Sequence, residues 1–372
     1  MKIVFLAHCP WERPAKIAFA LRKIGFTVIL VYLLEPVNFD LQKYFNFAIK
    51  AQNSAEAVAI VHRLRADIVH VFSACVDQTA LDFFRLKSGK AIYDYKDCFE
   101  NLINVDVGTP ILQGQRFCIE NADALCCRDL QLSRYCQVNN INLNTPRILF
   151  MDYCWGIEIP RKNVGHCDEV HTVIAGNFSS EIEEPHRKDS GYIHNVRALV
   201  GNGIHVHMYL FRGYERSIKM ANDKRFEEYF ELSNSSKLFH IHSPVPMTEF
   251  NIEISQFHFG LLIFQGALFR DIGINSQING ALAVGMATRV FDYIEAGLET
   301  IITPETKFAY RALNNCGLAV AAVPDLFLKG NMRELLLDRI NSGRNARVDA
   351  ARSKFSIHNN ISKLVEFYQR VA

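Results

Sequence analysis

Arg289 and Asp292 combine residue types and a spacing that could do chemistry. Their surroundings predict a helix over 288–296, where residues three apart project from one face. A carboxylate there can accept two neighbouring hydroxyl groups, and an arginine offers a planar fork of donors to a phosphate. The predicted helix N-terminus at Ala287 and Thr288 adds N–H groups for the same anion. Taken alone, the pair is more often a surface i,i+3 ion pair.

Two pairs of histidines have the spacing of strand neighbours, His205 with His207 and His240 with His242. Alternate residues of a strand face one side of its sheet, so each pair presents two imidazoles together, as a metal site would require. No obvious carboxylate or third histidine lies nearby in the sequence. We therefore predict ordinary histidines on a sheet face, and no metal site.

Several nucleotide-binding and nucleophile motifs are absent. The turns after the two predicted first strands, 7–11 and 175–178, lack the Gly-x-Gly-x-x-Gly fingerprint of NAD-binding domains. The sequence contains no P-loop motif, and no Gly-x-Ser-x-Gly nucleophile elbow. These absences argue against a dehydrogenase of that type, a P-loop ATPase and a serine hydrolase with that elbow.

Composition describes an ordinary globular chain. Its 372 residues are 49% hydrophobic and 22% charged, which leaves room for two domains, and the net charge of +2 is too small to predict nucleic-acid binding. Ten cysteines include no Cys-x-x-Cys, which favours reduced thiols over a zinc or disulfide framework. No secretory signal is evident, and the apolar runs 26–34 and 259–269 are too short for a membrane span. We expect a cytoplasmic protein, with peripheral contact with the inner face of a membrane left open.

Short apolar strands alternate with helices in both halves of the chain. In the first half, strands over 2–7 and 27–33 flank a helix over 14–23, and this βαβα order predicts a parallel sheet covered on both faces. Residues 159–168, which contain Pro and Gly, predict a linker, and the rhythm restarts at His171. We expect two doubly wound α/β domains facing a cleft, with ligands beyond the carboxyl ends of the strands.

Residues 289–302 read Arg-Val-Phe-Asp-Tyr-Ile-Glu-Ala-Gly-Leu-Glu-Thr-Ile-Ile. This stretch resembles the signature of GT-B glycosyltransferases related to the large retaining GT4 group, also called glycosyl transferases group 1. The spacing matches through Gly297. The sequence departs at Asp292, where Glu is usual, and at Glu299, where Pro is usual. Val284 stands where the longer form of the family motif has an upstream Glu.

Four other stretches follow the family's order along the chain. They are 120–125, 237–260 with His258 in place of an aspartate, 315–318, and 355–357 with the helix that follows. The resemblance spans nearly the whole chain and implies the GT-B fold, with two Rossmann-like doubly wound parallel-sheet domains. It implies an acceptor-side domain over 1–160, a nucleotide-sugar-binding domain over 168–350, and a C-terminal helix over 351–372 that packs back on the first domain.

The resemblance implies transfer of a sugar from a nucleotide-sugar donor to a glycan, lipid-linked or protein acceptor, as in polysaccharide biosynthesis. It also implies retention of configuration and no metal or other cofactor, because the nucleotide sugar is itself a substrate. Two alternatives stay open. One is a nucleotide-sugar epimerase or hydrolase, and the other is a GT-B scaffold that has lost catalysis and acts as a binding or partner subunit.

The resemblance also carries over a set of donor-binding residues. They are Gly176, Arg187, Lys188, His242, Val245, Arg289 and Asp292. Gly176 permits close approach of a phosphate, although a plain turn glycine is the alternative. Arg187 and Lys188 stand where relatives bind phosphate, although a solvated run of charge has the same appearance.

The acceptor side is expected in the first domain. Asp97, in the loop after a predicted strand, can position or deprotonate an acceptor hydroxyl, or it can cap a helix. Asp94 lies in the same stretch. His8 and Trp11 lie in the first turn, where Trp11 can stack on a sugar ring or pack on the helix that follows. Asp97 and Arg289 are the two catalytic candidates.

Overall fold

The structure is a computed structural model of the chain. It describes residues 1–36, 40–73, 78–96, 110–159, 168–175, 193–209, 227–263, 283–323, 326 and 330–372. Among these residues, no helix combines the length and the apolar character needed to cross a membrane.

The chain divides into two compact units. The first comprises Met1–Gly156, Val284–Met286 and Phe355–Ala372, and the second comprises Ile157–Ala283 and Ala287–Lys354. Each unit has its own parallel sheet and hydrophobic core. The first unit therefore includes the last helix of the chain. It also includes a three-residue segment, 284–286, and no pattern in the sequence indicates that this segment belongs there.

The first unit is built from seven strands and the helices between them. The strands are β1 (Lys2–Ala7), β2 (Thr27–Tyr32), β3 (Phe47–Lys50), β4 (Ile68–Ser73), β5 (Ala91–Tyr95), β6 (Ala124–Cys127) and β7 (Arg147–Leu149). The described helices are α1 (Glu12–Lys23), a 3-10 turn at Leu41–Lys43, α2 (Ser54–Leu64), α3 (Gln78–Arg85), α4 (Pro110–Asn121) and α5 (Gln131–Val138).

The second unit repeats this plan with six strands. They are β8 (His171–Ile174), β9 (His205–Tyr209), β10 (Phe239–His242), β11 (Phe259–Leu262), β12 (Glu299–Ile302) and β13 (Ala319–Ala321). Its described helices are α6 (Ile193–Gly201), α7 (Glu227–Ser235), α8 (Met247–Ile254), α9 (Arg289–Ala296), α10 (Lys307–Asn314), α11 (Met332–Asn341) and α12 (Arg344–Phe355). The last helix, α13 (Ile357–Val371), belongs to the first unit.

Strand order is the same in the two sheets. The first runs β3-β2-β1-β4-β5-β6-β7 and the second β10-β9-β8-β11-β12-β13, and each neighbouring pair is parallel. Each sheet therefore starts at its centre and winds outwards in both directions, as a doubly wound sheet does. The central strands are buried on both faces, which explains why they read as short unbroken apolar runs. The predicted pair of doubly wound parallel sheets is confirmed.

Two strands and two helices of the structure show no clear pattern in the sequence, so the sequence does not predict them. Strands β3 and β7 lie at opposite edges of the first sheet and have half-exposed or exposed residues, so neither shows an apolar run. Helices α7 and α12 are largely polar and have no clear apolar stripe. The elements that the sequence concealed are thus those that bury little surface.

Arg13, in the first turn of α1, lies at the polar centre of the first unit and is only 7% exposed. Its guanidinium donates to Asp94 at 2.9 Å, to Asp152 at 2.9 Å and to the carbonyl of Phe150 at 2.8 Å. Although burial opposes ionisation of Asp94, the charge of Arg13 holds the pKa of that carboxyl well below its usual range. One guanidinium therefore joins α1 to β5 and to the chain beyond β7.

His70, in β4, extends this network to the C-terminal helix. Its Nε2 lies 3.1 Å from Asp94, and its Nδ1 lies 2.6 Å from the hydroxyl of Tyr368 in α13. Burial lowers the pKa of His70 despite the neighbouring carboxylate, so the ring is neutral at pH 7. The neutral ring then donates from Nε2 to Asp94 and accepts at Nδ1 from Tyr368. This contact helps to hold α13 on the first sheet.

We expect His70 to make the protein less stable as the pH falls from 7 to 5. Its pKa is lower in the folded state than in the unfolded chain. The stability that this difference contributes is complete above about pH 6.5 and is lost as pH falls towards the folded pKa. His70→Gln removes this proton uptake, so its free energy of unfolding should change less steeply with pH, by up to about 1.4 kcal/mol per pH unit.

Urea unfolding of both proteins at several pH values between 7 and 5 measures this difference in slope. The variant is expected to be less stable at pH 7, which does not affect the comparison. Equal slopes for wild type and His70→Gln would show that the folded state already carries the His70 proton.

Candidate functional site

Helix α9 connects two adjacent parallel strands, β11 and β12. A helix in such a crossover runs antiparallel to its strands, so its N-terminus lies at the edge of the sheet where the strands have their carboxyl ends. In doubly wound sheets, ligands bind beyond this edge. The N–H groups and the positive dipole of the first turn of α9 therefore lie at this edge, where they favour negative charge.

Burial along α9 separates its structural residues from its candidate ligand-binding residues. Six of its eight residues are buried, namely Val290, Phe291, Tyr293, Ile294, Glu295 and Ala296. The remaining two are Arg289 and Asp292, which are half-buried. These are the two residues that the sequence singled out, and they occupy the first and fourth positions of the helix.

Tyr293 fixes the position of α9 on its sheet. Its hydroxyl donates to the carbonyl of Leu261 in β11 at 3.1 Å and accepts from the N–H of Ala175, just after β8, at 3.0 Å. Its ring lies directly on Gly260, so closely that a Cβ at that position would overlap the ring. The hydrogen bonds and the missing side chain at Gly260 together set the height of Arg289 and Asp292 above the strand ends.

The C-terminal end of α9 explains one departure from the family pattern. Gly297 ends the helix in the left-handed conformation (φ 84°), which favours glycine. Glu299, where Pro is usual, is fully buried as the first residue of β12. Its carboxylate accepts from Arg339 at 2.6 Å and from Arg347 at 2.6 Å. Glu299 therefore joins β12 to α11 and α12, which is a structural role.

The segment 284–286 belongs to the first unit and contains the second departure, Val284. The carbonyl of Val284 accepts from the N–H of Leu130 at 3.2 Å, and the N–H of Met286 donates to Asp129 at 3.0 Å. Burial raises the pKa of Asp129, even though Arg128 and the N–H groups of Gln131 and Met286 favour its charged form. Both hydrogen bonds use the main chain of the segment. They therefore do not depend on which side chain stands at position 284.

His242 and Val245 lie at the carboxyl end of β10 and in the loop after it. The Nε2 of His242 lies 2.8 Å from Nδ1 of His207, and its ring stacks on Tyr209 with the ring centroids 4.5 Å apart. Burial, and then the neighbouring His240, lower the pKa of His242. Val245 is half-buried against the core cluster on this face of the sheet. Their predicted role in donor binding stays a prediction.

The first-unit candidates differ in how accessible they are. Trp11 is 40% exposed at the start of α1, and His8 is half-buried with its Nδ1 3.3 Å from the hydroxyl of Thr79. Asp94 is only 2% exposed, and both its oxygens are held by Arg13 and His70. The structure therefore gives Asp94 an internal role, although the sequence placed it on the acceptor side. Its position near the end of a buried strand did not reveal these partners.

Four predicted site residues lie outside the described part of the chain. They are Asp97, Gly176, Arg187 and Lys188. The ends of the strands before them are described, since β5 ends at Tyr95 and Ala175 follows β8. Their assigned roles stay predictions.

The sequence-based analysis did not identify three residues that hold neighbouring elements in place, namely Tyr293, Gly260 and Arg13. An isolated glycine within an apolar strand often marks a close approach of another group, so Gly260 carried a usable signal. Arg13 lies in a predicted helix start, where a basic residue is normally solvated, and no sequence signal indicates its burial.

No family model matches the chain, and no curated protein matches it in sequence. Solved structures, in contrast, match it over its whole length. Sucrose-phosphate synthase from Thermosynechococcus elongatus is 11% identical with a TM-score of 0.67, and the match covers 100% of this chain and 99% of that one. An alpha-glucosyltransferase in complex with UDP-glucose and DNA containing an abasic site is 13% identical, with a TM-score of 0.57 and 99% of each chain covered.

A third similar structure is the UDP-GlcNAc 2-epimerase from Neisseria meningitidis bound to UDP-GlcNAc. It is 12% identical with a TM-score of 0.53, and the match covers 100% of both chains. At these identities the similarity establishes the fold alone. The chain has the GT-B fold, as the resemblance in its sequence implies.

We expect Gly260→Ala to destabilise the second unit, because the added methyl group overlaps the buried Tyr293 ring. Overpacking of this kind costs about 1–3 kcal/mol of unfolding free energy. Gly201→Ala is the matched control, since Gly201 ends helix α6 of the same unit and a Cβ there meets nothing within 4 Å. The control should be neutral or slightly stabilising. Urea unfolding measures both, and equal stability of the two variants would contradict the close packing of Tyr293 on Gly260.

Proposed function

We propose that the chain is a glycosyltransferase that takes its sugar from a nucleotide donor, with UDP as the favoured nucleotide. The observation that carries this proposal is the exposure pattern of α9. The helix buries every residue except Arg289 and Asp292, at the end of the sheet where ligands bind. UDP is favoured because similar structures are described as complexes with UDP-glucose, UDP and UDP-GlcNAc.

Arg289 and the N-terminus of α9 supply positive charge at the same place. In sugar transfer from a nucleotide donor, the bond from the anomeric carbon to the diphosphate oxygen breaks, and negative charge grows on the leaving phosphate. A guanidinium and a set of helix N–H groups stabilise that charge most in the transition state. We propose that they do so here without a metal ion.

Asp292 lies one turn further along the same helix. In the proposed complex its carboxylate accepts hydrogen bonds from the two ribose hydroxyls of the nucleotide. The family's Glu differs from Asp by one methylene, so the acceptor group is kept. The departure at Glu299 does not weaken the proposal either, because that residue pairs with Arg339 and Arg347 inside the second unit.

Acceptor binding is assigned to the first unit. Trp11 offers an exposed aromatic ring beside the first turn, and such a surface can stack on a sugar. Asp97 follows the last residue of β5 by two positions in the sequence. We propose that Asp97 positions or deprotonates the acceptor hydroxyl of a glycan, lipid-linked or protein acceptor, in a retaining reaction.

Nucleotide-sugar epimerisation is a second candidate, because UDP-N-acetylglucosamine 2-epimerases have the same fold over the whole chain. An epimerase converts UDP-GlcNAc without any acceptor, whereas a transferase leaves it intact or slowly hydrolyses it. Incubation of the protein with UDP-GlcNAc alone, followed by chromatography of the products, distinguishes the two.

A thermal-shift screen against UDP-, GDP-, CMP- and dTDP-sugars identifies the base, because a bound donor stabilises the fold by mass action.

Asp292→Ala should weaken UDP binding roughly ten- to a hundredfold. A hydrogen bond to a charged group contributes about 1.5–3 kcal/mol, and the variant loses this carboxylate. Arg289→Ala should also slow sugar release from the donor, because less charge is neutralised in the transition state. Calorimetry with UDP measures the first effect, and the rate of donor hydrolysis or transfer measures the second.

Asp349→Ala is the matched control, because Asp349 is an exposed carboxylate that stands three residues before Arg352 on α12 of the same unit. It should bind UDP as wild type does. If Asp292→Ala and Arg289→Ala were also indistinguishable from wild type, with the fold intact, the two residues would be an ordinary surface pair and the proposed site would be misplaced.

Asp97→Asn should lower transfer far more than it lowers donor affinity, because an amide cannot accept the proton of an acceptor hydroxyl. Calorimetry with UDP and the rate of transfer per bound donor separate the two effects. A variant that loses donor affinity but keeps a normal transfer rate would contradict the assignment of Asp97 to the acceptor.

A further inference from the structure

One face of the second sheet has a cluster of histidines at the edge opposite to α9's N-terminus. His171 and His205 are the first residues of β8 and β9 and lie side by side in register, and His207 lies two residues further along β9 on the same face. Parallel strands start at the same edge, so this cluster lies near the amino edge of the sheet. It is therefore separate from the proposed donor site at the carboxyl edge.

A point between these three rings is within reach of a nitrogen from each. One ring nitrogen of His171, His205 and His207 can be chosen so that all three lie within 4.8 Å of one another. His171 Nδ1 and His207 Nε2 are 2.9 Å apart. Nitrogens that bind one tetrahedral zinc at about 2.0–2.1 Å are separated by roughly 3.3 Å, so modest side-chain movement converts this contact into a shared metal ligation.

Each of the three rings has a partner on its other nitrogen. His171 Nε2 lies 3.2 Å from Glu169, His207 Nδ1 lies 2.8 Å from His242, and His205 Nδ1 lies 3.1 Å from His240. Metal-binding histidines characteristically donate their other N–H to a carboxylate or another acceptor, which orients the ring. The cluster therefore has three candidate ligands, and the partners of His171 and His207 orient two of them.

A metal binds the neutral form of imidazole, through a ring nitrogen that carries no proton. Before metal binding, a consistent proton assignment is donation from His242 to His207, from His207 to His171, and from His171 to Glu169.

We propose that His171, His205 and His207 form a binding site for a divalent transition metal of the zinc type. Three imidazoles suit zinc, copper or nickel, and do not suit magnesium or calcium. The metal takes the place of the proton that His207 Nε2 shares with His171 Nδ1. His207 then carries its proton on Nδ1 and donates it to His242. The His242 proton moves from Nε2 to Nδ1, so the ring can accept.

Binding also requires a rotation of His205. Its ring is stacked on that of His171, with centroids 4.4 Å apart, so a metal in the plane of one ring lies outside the plane of the other. His205 is half-buried and can turn about its Cβ–Cγ bond. A water molecule can complete the tetrahedral coordination. Metal bound here stabilises the second unit, because it favours the folded state by mass action.

The test uses untagged full-length protein, freed of metal with a chelator and titrated with zinc chloride. We expect one zinc per chain by elemental analysis, a rise in the unfolding temperature with zinc concentration, and cobalt absorption typical of a tetrahedral site. His205→Gln should weaken zinc binding by about a hundredfold or more, and Glu169→Gln by about tenfold or more, because a lost orienting partner typically costs 10–100-fold.

His194→Gln is the matched control, since His194 lies in α6 of the same unit and outside the cluster. It should bind zinc as wild type does. Circular dichroism confirms that each variant folds, and Glu169→Gln, whose side chain is 44% exposed in wild type, keeps the test decisive if His205→Gln does not fold.

Substoichiometric zinc in wild type, or equal affinity in wild type, His205→Gln and Glu169→Gln, would overturn the proposal. Zinc content and UDP affinity are separate measurements, so failure of this site and failure of the proposed donor site are distinguishable.

Discussion

Parallel pairing of the described strands is the constraint on which the rest of the structure depends. Parallel strands cannot be joined by tight turns, so each crossover needs a covering segment, and these segments bury both faces of the sheet. The carboxyl ends of the strands then meet at one edge, together with the N-termini of the crossover helices. In the second unit this brings α9, with Arg289 and Asp292, to the edge beyond β8 and β11.

The buried charges of Arg13 and Glu299 are each paired within one unit. Arg13 is shared between Asp94 and Asp152, and Glu299 is held by Arg339 and Arg347. Removing one partner of such a group leaves a charge with little solvent, which is far more costly than the net worth of the pair. These groups therefore connect helices to strands, and they differ physically from the half-buried Arg289 and Asp292, which can still reach a ligand.

The second sheet has different chemistry at its two edges. Its carboxyl edge offers helix N–H groups and a guanidinium, which suit an anion. Its amino edge brings three imidazoles together, which suit a borderline cation such as zinc. The strands separate the two edges. Tyr293 is hydrogen-bonded at the carboxyl ends of the strands, and the histidine rings stack near their amino ends.

The strand and helix alternation and the restart near His171 follow from the sequence alone, which also singles out Arg289 and Asp292 as candidate ligand-binding residues. Buried parallel strands must be apolar, and helix neighbours recur every three or four residues, so both features are local. The sequence did not reveal β3, β7, the burial of Asp94 and Glu299, or the meeting of His171 with His205 and His207. Those depend on which strands become neighbours, and residues 34–36 apart along the chain come together only when the sheet pairs them. Tertiary structure alone decided which charged residues are enclosed with partners and which remain within reach of a ligand.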